Sequence, residues 1–417
     1  MSAAARIHHG WYVVAALFVI LTITSGLAFY NLSVYMNALV AGRDFPVTAV
    51  SVAIAVFFVA SGLGGLLAGH LLARFDPRWT IVAGGVLGAL ALALLGGVER
   101  LGELYGVYAL FGLGHACCTL VPATTLVTGW FRARRAIALS IASTGLSVGG
   151  ILVTPASAAL IGRIGLGPAT ELFALAWLLG VVPVTLLVVR AAPSGTPGAE
   201  GGVPAAPVDG WTRGDALSSS WFLAITGAWS LIMLAQVGAI SHLFNLAATR
   251  VDAATGATAI SLMASASILG RFLGGWLITR MDIRIFALGC IVAQGVSLTL
   301  LALADRSGAV LLGALAFGAT VGNLLMLQPL LLAEVFGARD YGRIYSTSQL
   351  VTTLGVAAGP ALLGVLFDLL GSYTAAFGLA AAASTLALGA MVLAGPFPAG
   401  PPGGDEARGL DGTEEAA

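Results

Sequence analysis

SGLGGLLAGHLLARFDPR at residues 61–78 and SILGRFLGGWLITRMDIR at residues 267–284 share nine of eighteen positions under a shift of 206, including the Arg-x-Asp-x-Arg that closes each. The chain therefore carries an internal duplication. Where the first copy has Gly65, the second has Arg271. An ionised side chain inside an otherwise apolar helix is costly at membrane depth, so its presence in one copy alone marks the place to look for function.

Composition sets the class. Of 417 residues, 58% are hydrophobic and only 9% charged, against about 25% charged in an ordinary soluble domain. Apolar runs of some twenty residues recur from Trp11 to Ala394 and divide into twelve spans, each long enough at ~1.5 Å per residue to cross a hydrocarbon layer of ~30 Å. Together with the repeat, this predicts an all-α membrane protein whose twelve transmembrane helices form two parallel, pseudo-symmetric six-helix bundles. The expected divisions are residues 1–190, a Pro/Gly/Ala-rich linker with little structure at 191–218, residues 219–395, and a disordered tail at 396–417. The shift joins the second span to the eighth, an even number, so both copies face the same way. A weaker echo supports it: Phe131, Ala133, Arg134, Gly150 and Pro155 recur at Phe336, Ala338, Arg339, Gly355 and Pro360.

Lysine is absent, so arginine alone sets topology. Arg74, Arg78, the cluster Arg132, Arg134 and Arg135, then Arg190, Arg213, Arg280, Arg284, Arg339 and Arg343 fall in alternate connections, with Arg6 and Arg408 at the ends. The positive-inside rule places both termini in the cytoplasm, here of a bacterial-type inner membrane. Cys117, Cys118 and Cys290 all lie within spans and read as packing residues. No nucleotide loop, metal-ligand cluster or nucleophile–base arrangement is visible, so no enzyme, cofactor, metal or nucleic-acid partner is expected.

Arg271 precedes Arg280 by nine residues and so sits about 13 Å into the membrane, where an arginine costs roughly 3 to over 10 kcal/mol. Every Asp and Glu falls in a loop, a tail or the last turns of a span. The arginine thus lacks an internal counter-ion and suits an anionic ligand, held bidentately where that is a carboxylate; the other reading is a structural arginine or gate served by hydroxyls, carbonyls and water. Further candidates for the ligand are Asn31, Tyr35, Thr119, His242, Asn245, Asn323, Tyr345 and Ser348, each of which could equally be an interhelical hydrogen bond. His115 and His242 are the span residues suited to carrying a proton.

Two parallel halves, a basic linker and an Arg/Asp/Arg turn after the second and eighth spans resemble the major facilitator superfamily of secondary transporters. Gly10-Trp11, Gly129-Trp130-Phe131 with Arg134-Arg135, Leu269-Gly270-Arg271, and Tyr341-Gly342 with Tyr345 are similar to its branch of monocarboxylate transporters and oxalate/formate antiporters. The resemblance implies that Arg74, Asp76, Arg78, Arg280, Asp282 and Arg284 latch one side of the membrane; as bare residues they read equally as solvated topology charges. Where the antiporters place a lysine in the eleventh span this chain has about Ser348. Where animal monocarboxylate transporters place an aspartate and a lysine it has Ser267 and about Asn31. One cation points to one carboxylate. The expectation is alternating-access transport of a small organic anion, first a monocarboxylate, by a monomer in the bilayer, with a co-transported proton or an exchanged anion. The alternatives are an exporter of amphipathic or metal-conjugated compounds and a transporter-like sensor.

Overall fold

A computed structural model of the chain describes residues 9–131, 135–190, 210–337 and 339–398. Among the described residues twelve helices are long and apolar enough to cross a membrane: His9–Arg43, Val47–Leu72, Pro77–Leu95, Leu101–Val127, Ile137–Ile164, Leu166–Val188, Ser220–Arg250, Ala253–Ile278, Ile283–Leu303, Ser307–Phe336, Arg343–Leu370 and Tyr373–Leu393. They are numbered as first to twelfth span. The side of the bilayer holding the linker is called the linker side and the other the far side. Arg6, Arg132, Arg134, Arg408, the linker residues 191–209 and nearly all of the expected tail lie outside the described residues.

Helix association in lipid rests on close packing and small residues, since lipid tails are as apolar as leucine. One buried cluster, including Ile20, Phe57 and Trp177, fills the first six spans. Two fill the last six, one around Phe317 and Phe377 and the other around Trp229 and Phe336.

Three spans depart from regular α-helix. The fourth breaks into Leu101–Ala116 and Leu120–Trp130. Pro122 accounts for the break, because it lacks an N–H and its ring crowds the carbonyl of Cys118 four residues earlier. The first and fifth spans each widen into a π-helical segment, Ser25–Tyr30 and Gly149–Val153. These segments cross each other. A Cβ at Gly149 would lie 2.6 Å from Gly26 N, so only glycine permits the approach.

The end of the expected linker is built into the second half. Trp211 N–H donates to Phe336 O at 2.9 Å, Arg213 N–H donates to Asp340 Oδ2 at 2.8 Å, and Arg213–Ser218 forms a short helix. That stretch therefore differs from the little structure its composition predicts. The reason is the apolar Trp211, which packs edge-on to Phe336.

The halves meet along two seams related by the repeat, the fifth span against the eighth and the second against the eleventh, with the first span also packed on the seventh between them. On the far side they are in contact: Thr48 N–H donates to Asp368 Oδ2 at 2.6 Å and Ser261 Oγ donates to Ile151 O at 3.2 Å. The second seam reaches as far as Gly62, whose added Cβ would touch Thr353 at 3.4 Å. One and two turns closer to the linker side the contact is gone: a Cβ at Gly65 would meet only Val121 of its own half, and one at Gly69 nothing within 4 Å. The structure is closed on the far side and opens toward the linker side.

Candidate functional site

Arg271 lies where the first seam ends, partly exposed to the open side. Its Nη2 donates to Ser147 Oγ of the fifth span at 3.3 Å and to Ser267 Oγ of its own span at 3.4 Å. The Tyr30 hydroxyl, at the end of the first span's π segment, lies close to the same guanidinium and to Ser147. Three spans from two halves thus converge on one guanidinium. Among the described residues no carboxylate lies within salt-bridge distance of it, and its Nε is buried without a partner.

The arginine stem is seated against the tenth span. A Cβ at Gly322 would stand 2.5 Å from Arg271 Cγ and 2.6 Å from Nε, so a side chain there would displace it. The next residue, Asn323, donates from Nδ2 to Ala319 O at 2.9 Å and presses its Oδ1 against Gly274, one turn beyond the arginine. Ser140, Thr144 and Ser147 recur at helical spacing along the fifth span; Ser140 is exposed, Ser147 is fully buried, and Thr144 Oγ1 donates back to Ser140 O at 2.8 Å.

The other sequence candidates fall elsewhere. Asn31 donates from Nδ2 to the Tyr35 hydroxyl at 3.2 Å, and Tyr35 donates to Leu27 O at 2.9 Å; both are fully buried, and Tyr35 packs in the core of the first half. Thr119 sits at the break of the fourth span. His115 Nδ1 lies 3.3 Å from Ser61 Oγ, with its ring against Phe57, inside the first half. Ser348 joins a buried network with Thr226 Oγ at 2.8 Å and Gln328 Nε2 at 3.0 Å, tying the seventh, tenth and eleventh spans together. Tyr345 stacks on Tyr341 near the linker side. His242 and Asn245 lie at the far-side closure.

The loop charges contact their own halves. Asp76 caps the third span through Arg78 N–H at 2.9 Å and binds the Arg78 side chain at 2.7 Å, which holds its carboxyl below the usual carboxylate range. Asp282 caps the ninth span through Arg284 N–H at 2.8 Å. Arg280 lies 4.1 Å over the Trp276 ring, while Arg284 reaches Trp221 and Met391 O. Arg74 is exposed.

Tyr30 and Ser147 were not among the sequence candidates. The Ser140/Thr144/Ser147 spacing was readable, but nothing in it told Ser147, which reaches Arg271, from Thr144, which bonds back to its own helix. Tyr30 is carried to the seam by a π segment, whose extra residue changes which side of the helix faces the partner.

A family model for the Major Facilitator Superfamily matches residues 18–249 and 217–413. Monocarboxylate transporter 13 of Rattus norvegicus is 28% identical over 397 residues, covering 93% of this chain and 87% of the relative. Monocarboxylate transporter 11 of Homo sapiens is 28% identical over 417 residues, covering 93% and 82%. MFS transporter asaE of Aspergillus flavus is 26% identical over 320 residues, covering 74% and 69%. Among solved structures, nucleoside transporter NupG superposes with a TM-score of 0.74 at 12% identity, covering 94% of this chain and all of that one. A bacterial homologue of the human lysosomal transporter Spinster gives 0.68 at 15%, covering 95% and 97%. The duplicated halves, the twelve spans and the family match leave one conclusion: the chain is an integral membrane transporter that belongs to the Major Facilitator Superfamily and resembles its monocarboxylate transporters.

Proposed function

We propose that this protein moves a small organic anion, first a monocarboxylate, by alternating access, with Arg271 binding the carboxylate where the halves meet. The observation carrying this reading is a guanidinium at membrane depth bonded only to hydroxyls. Serine oxygens carry no charge, so they leave the electrostatic demand of the cation unmet, and an arriving carboxylate supplies it through charge-assisted hydrogen bonds. Ser147 Oγ accepts from Arg271, and the phenol of Tyr30 beside the guanidinium supplies a neutral donor for the second carboxylate oxygen. The absence of a second cation, with Ser348 tied into its network, favours one carboxylate over two. The names of the mammalian relatives agree in substrate class. The arginine distribution makes the linker side the cytoplasm.

Counterflow of labelled mono- and dicarboxylates into proteoliposomes tests the reading. Monocarboxylates should exchange, Arg271→Lys should keep part of the rate, and Arg271→Ala should keep almost none. Equal exchange by wild type and Arg271→Ala would sink it.

A further inference from the structure

The far-side closure contains a buried hydrogen-bonded chain that the carboxylate site does not use. At its centre is His242, fully buried on the seventh span, with Nε2 lying 2.9 Å from Pro360 O and 3.2 Å from Ser51 Oγ, and Nδ1 lying 3.4 Å from the Tyr373 hydroxyl. Ser51 belongs to the opposite half, so the imidazole bridges the seam.

The donors can be assigned by exclusion. Ser51 gives its single hydroxyl proton to Val47 O at 2.6 Å, and Pro360 O has none to give, so Nε2 must carry the proton that serves both. With the ring proton on Nε2, Nδ1 is the acceptor nitrogen of a neutral ring, so the phenol of Tyr373, 3.4 Å away, is the donor to it. One chain runs from Tyr373 through His242 to Ser51, and the Tyr373 link requires that Nδ1 be bare.

We infer that His242 is a proton-binding site that governs far-side opening: neutral, it pins the second span to the eleventh, and a proton on Nδ1 releases it. The added proton would face the phenol proton of Tyr373 donor to donor, and the imidazolium would be enclosed in a contact that excludes water. Opening the seam hydrates the ring and removes both penalties, so by linkage the proton favours the open far side.

The surrounding charges leave the ring as the responsive element. The eleventh span brings the exposed Asp368, whose carboxylate acts on the ring and also accepts from Thr48 N–H; the twelfth brings Tyr373, and the second brings uncharged Ser51. The far-side charges of neighbouring spans are committed elsewhere: Arg43 to Gly96 O, Arg250 to Ala304 O and Asp252 to Thr255 N–H. His115 has no such place, since its partners belong to its own half. The inference rests on alternating access and not on which anion is carried.

Spin labels test it without substrate. The three native cysteines are buried, so labels introduced at Gly42→Cys and Leu369→Cys, both exposed at the far-side ends of opposite halves, report opening by pulsed electron resonance distances. From about pH 8 to about pH 5, a window around the ordinary imidazole value of ~6.5, the wild type should shift toward the longer distance. His242→Gln, which keeps an N–H for Pro360 and Ser51, should show no shift. Tyr373→Phe removes the opposing donor and should move the midpoint to higher pH. A pH response that persists unchanged in His242→Gln, or a wild type that closes on acidification, would overturn the proposal. Loss of carboxylate uptake alone would count only against the Arg271 reading.

Discussion

The seam between the fifth and eighth spans and the seam between the second and eleventh are copies of one interface, yet they have come to hold opposite things. At one, Arg271 meets Ser147 and Tyr30. At the other, Gly65 stands in the arginine's place and the contact is made nearer the far side by Gly62 with Thr353, Ser51 with His242, and Thr48 with Asp368. The first seam exposes an unmet charge to the open side. The second buries the hydrogen-bonded Ser51 and His242 and carries its carboxylate, Asp368, at the exposed far-side end. Duplication supplied the frame, and the divergence of a few side chains set a cation at one seam and a buried histidine bridge at the other.

The largest effect should come from removing or moving the charge. Losing one side of a buried charged pair costs about 2–5 kcal/mol, so Arg271→Ala should lower carboxylate kcat/KM by ~30-fold to several thousandfold, read as initial uptake rates. Transplanting it, with Gly65→Arg added to Arg271→Ala, should not restore uptake even though a Cβ at Gly65 has open space, because that seam offers no Ser147 or Tyr30 to orient the fork. Restored uptake would mean that the two seams are interchangeable.

Next in size is an attack on closure. A Cβ at Gly364 would run into Ser51, and overpacking of this kind costs about 1–3 kcal/mol. Gly364→Val should therefore shift the closed-to-open ratio on the far side by about 5- to 160-fold, seen as increased labelling of a far-side cysteine. Uptake should slow, while substrate protection of Arg271 against a guanidinium reagent such as phenylglyoxal should remain.

Smaller still are the hydroxyls that orient the arginine. The Ser147 bond to the guanidinium is long, at 3.3 Å, and a hydrogen bond contributes about 0.5–1.5 kcal/mol net, so Ser147→Ala and Tyr30→Phe should each raise KM by about 2- to 10-fold. If the two act as one chain, the double variant should cost less than the product of the singles. Full additivity would show that they bind the anion independently.

The architecture was legible because hydrophobic length and an eighteen-residue repeat are strong signals, and both depend on local composition alone. Arg271 was legible for the same reason, as one charge against an apolar ground. Its partners were not. Tyr30 reaches the seam through a π segment, which breaks the 3.6-residue spacing used to sort helix faces. Asn31 and Tyr35 had that spacing and bonded to each other inside the first half. The Ser348 hydroxyl, a candidate by its place in the eleventh span, is consumed by Thr226 and Gln328. A polar residue in an apolar helix announces that it has a partner, and only the packing says which.

The smallest effect concerns the loops where the duplication was first seen. Asp76 and Asp282 each cap the helix that follows, and replacing such a cap with alanine costs about 0.5–2 kcal/mol. Asp76 also holds the Arg78 guanidinium, whereas Arg284 turns away to Trp221 and Met391 O. Asp76→Ala should therefore lower thermal stability in detergent slightly more than Asp282→Ala, by a few tenths of a kcal/mol at most for a half-exposed pair. Because Arg78 holds the Asp76 carboxyl below its ordinary range, this stabilisation is complete above the ordinary carboxylate pKa of about 3.9 and is lost only as pH falls through the lower folded value. The difference between the two variants should hence stay constant from about pH 5 to about pH 8 and shrink only in stronger acid. A difference that already varies near neutral pH would tie Asp76 to a partner across the halves, and would make the loop a latch in the closed form of the linker side.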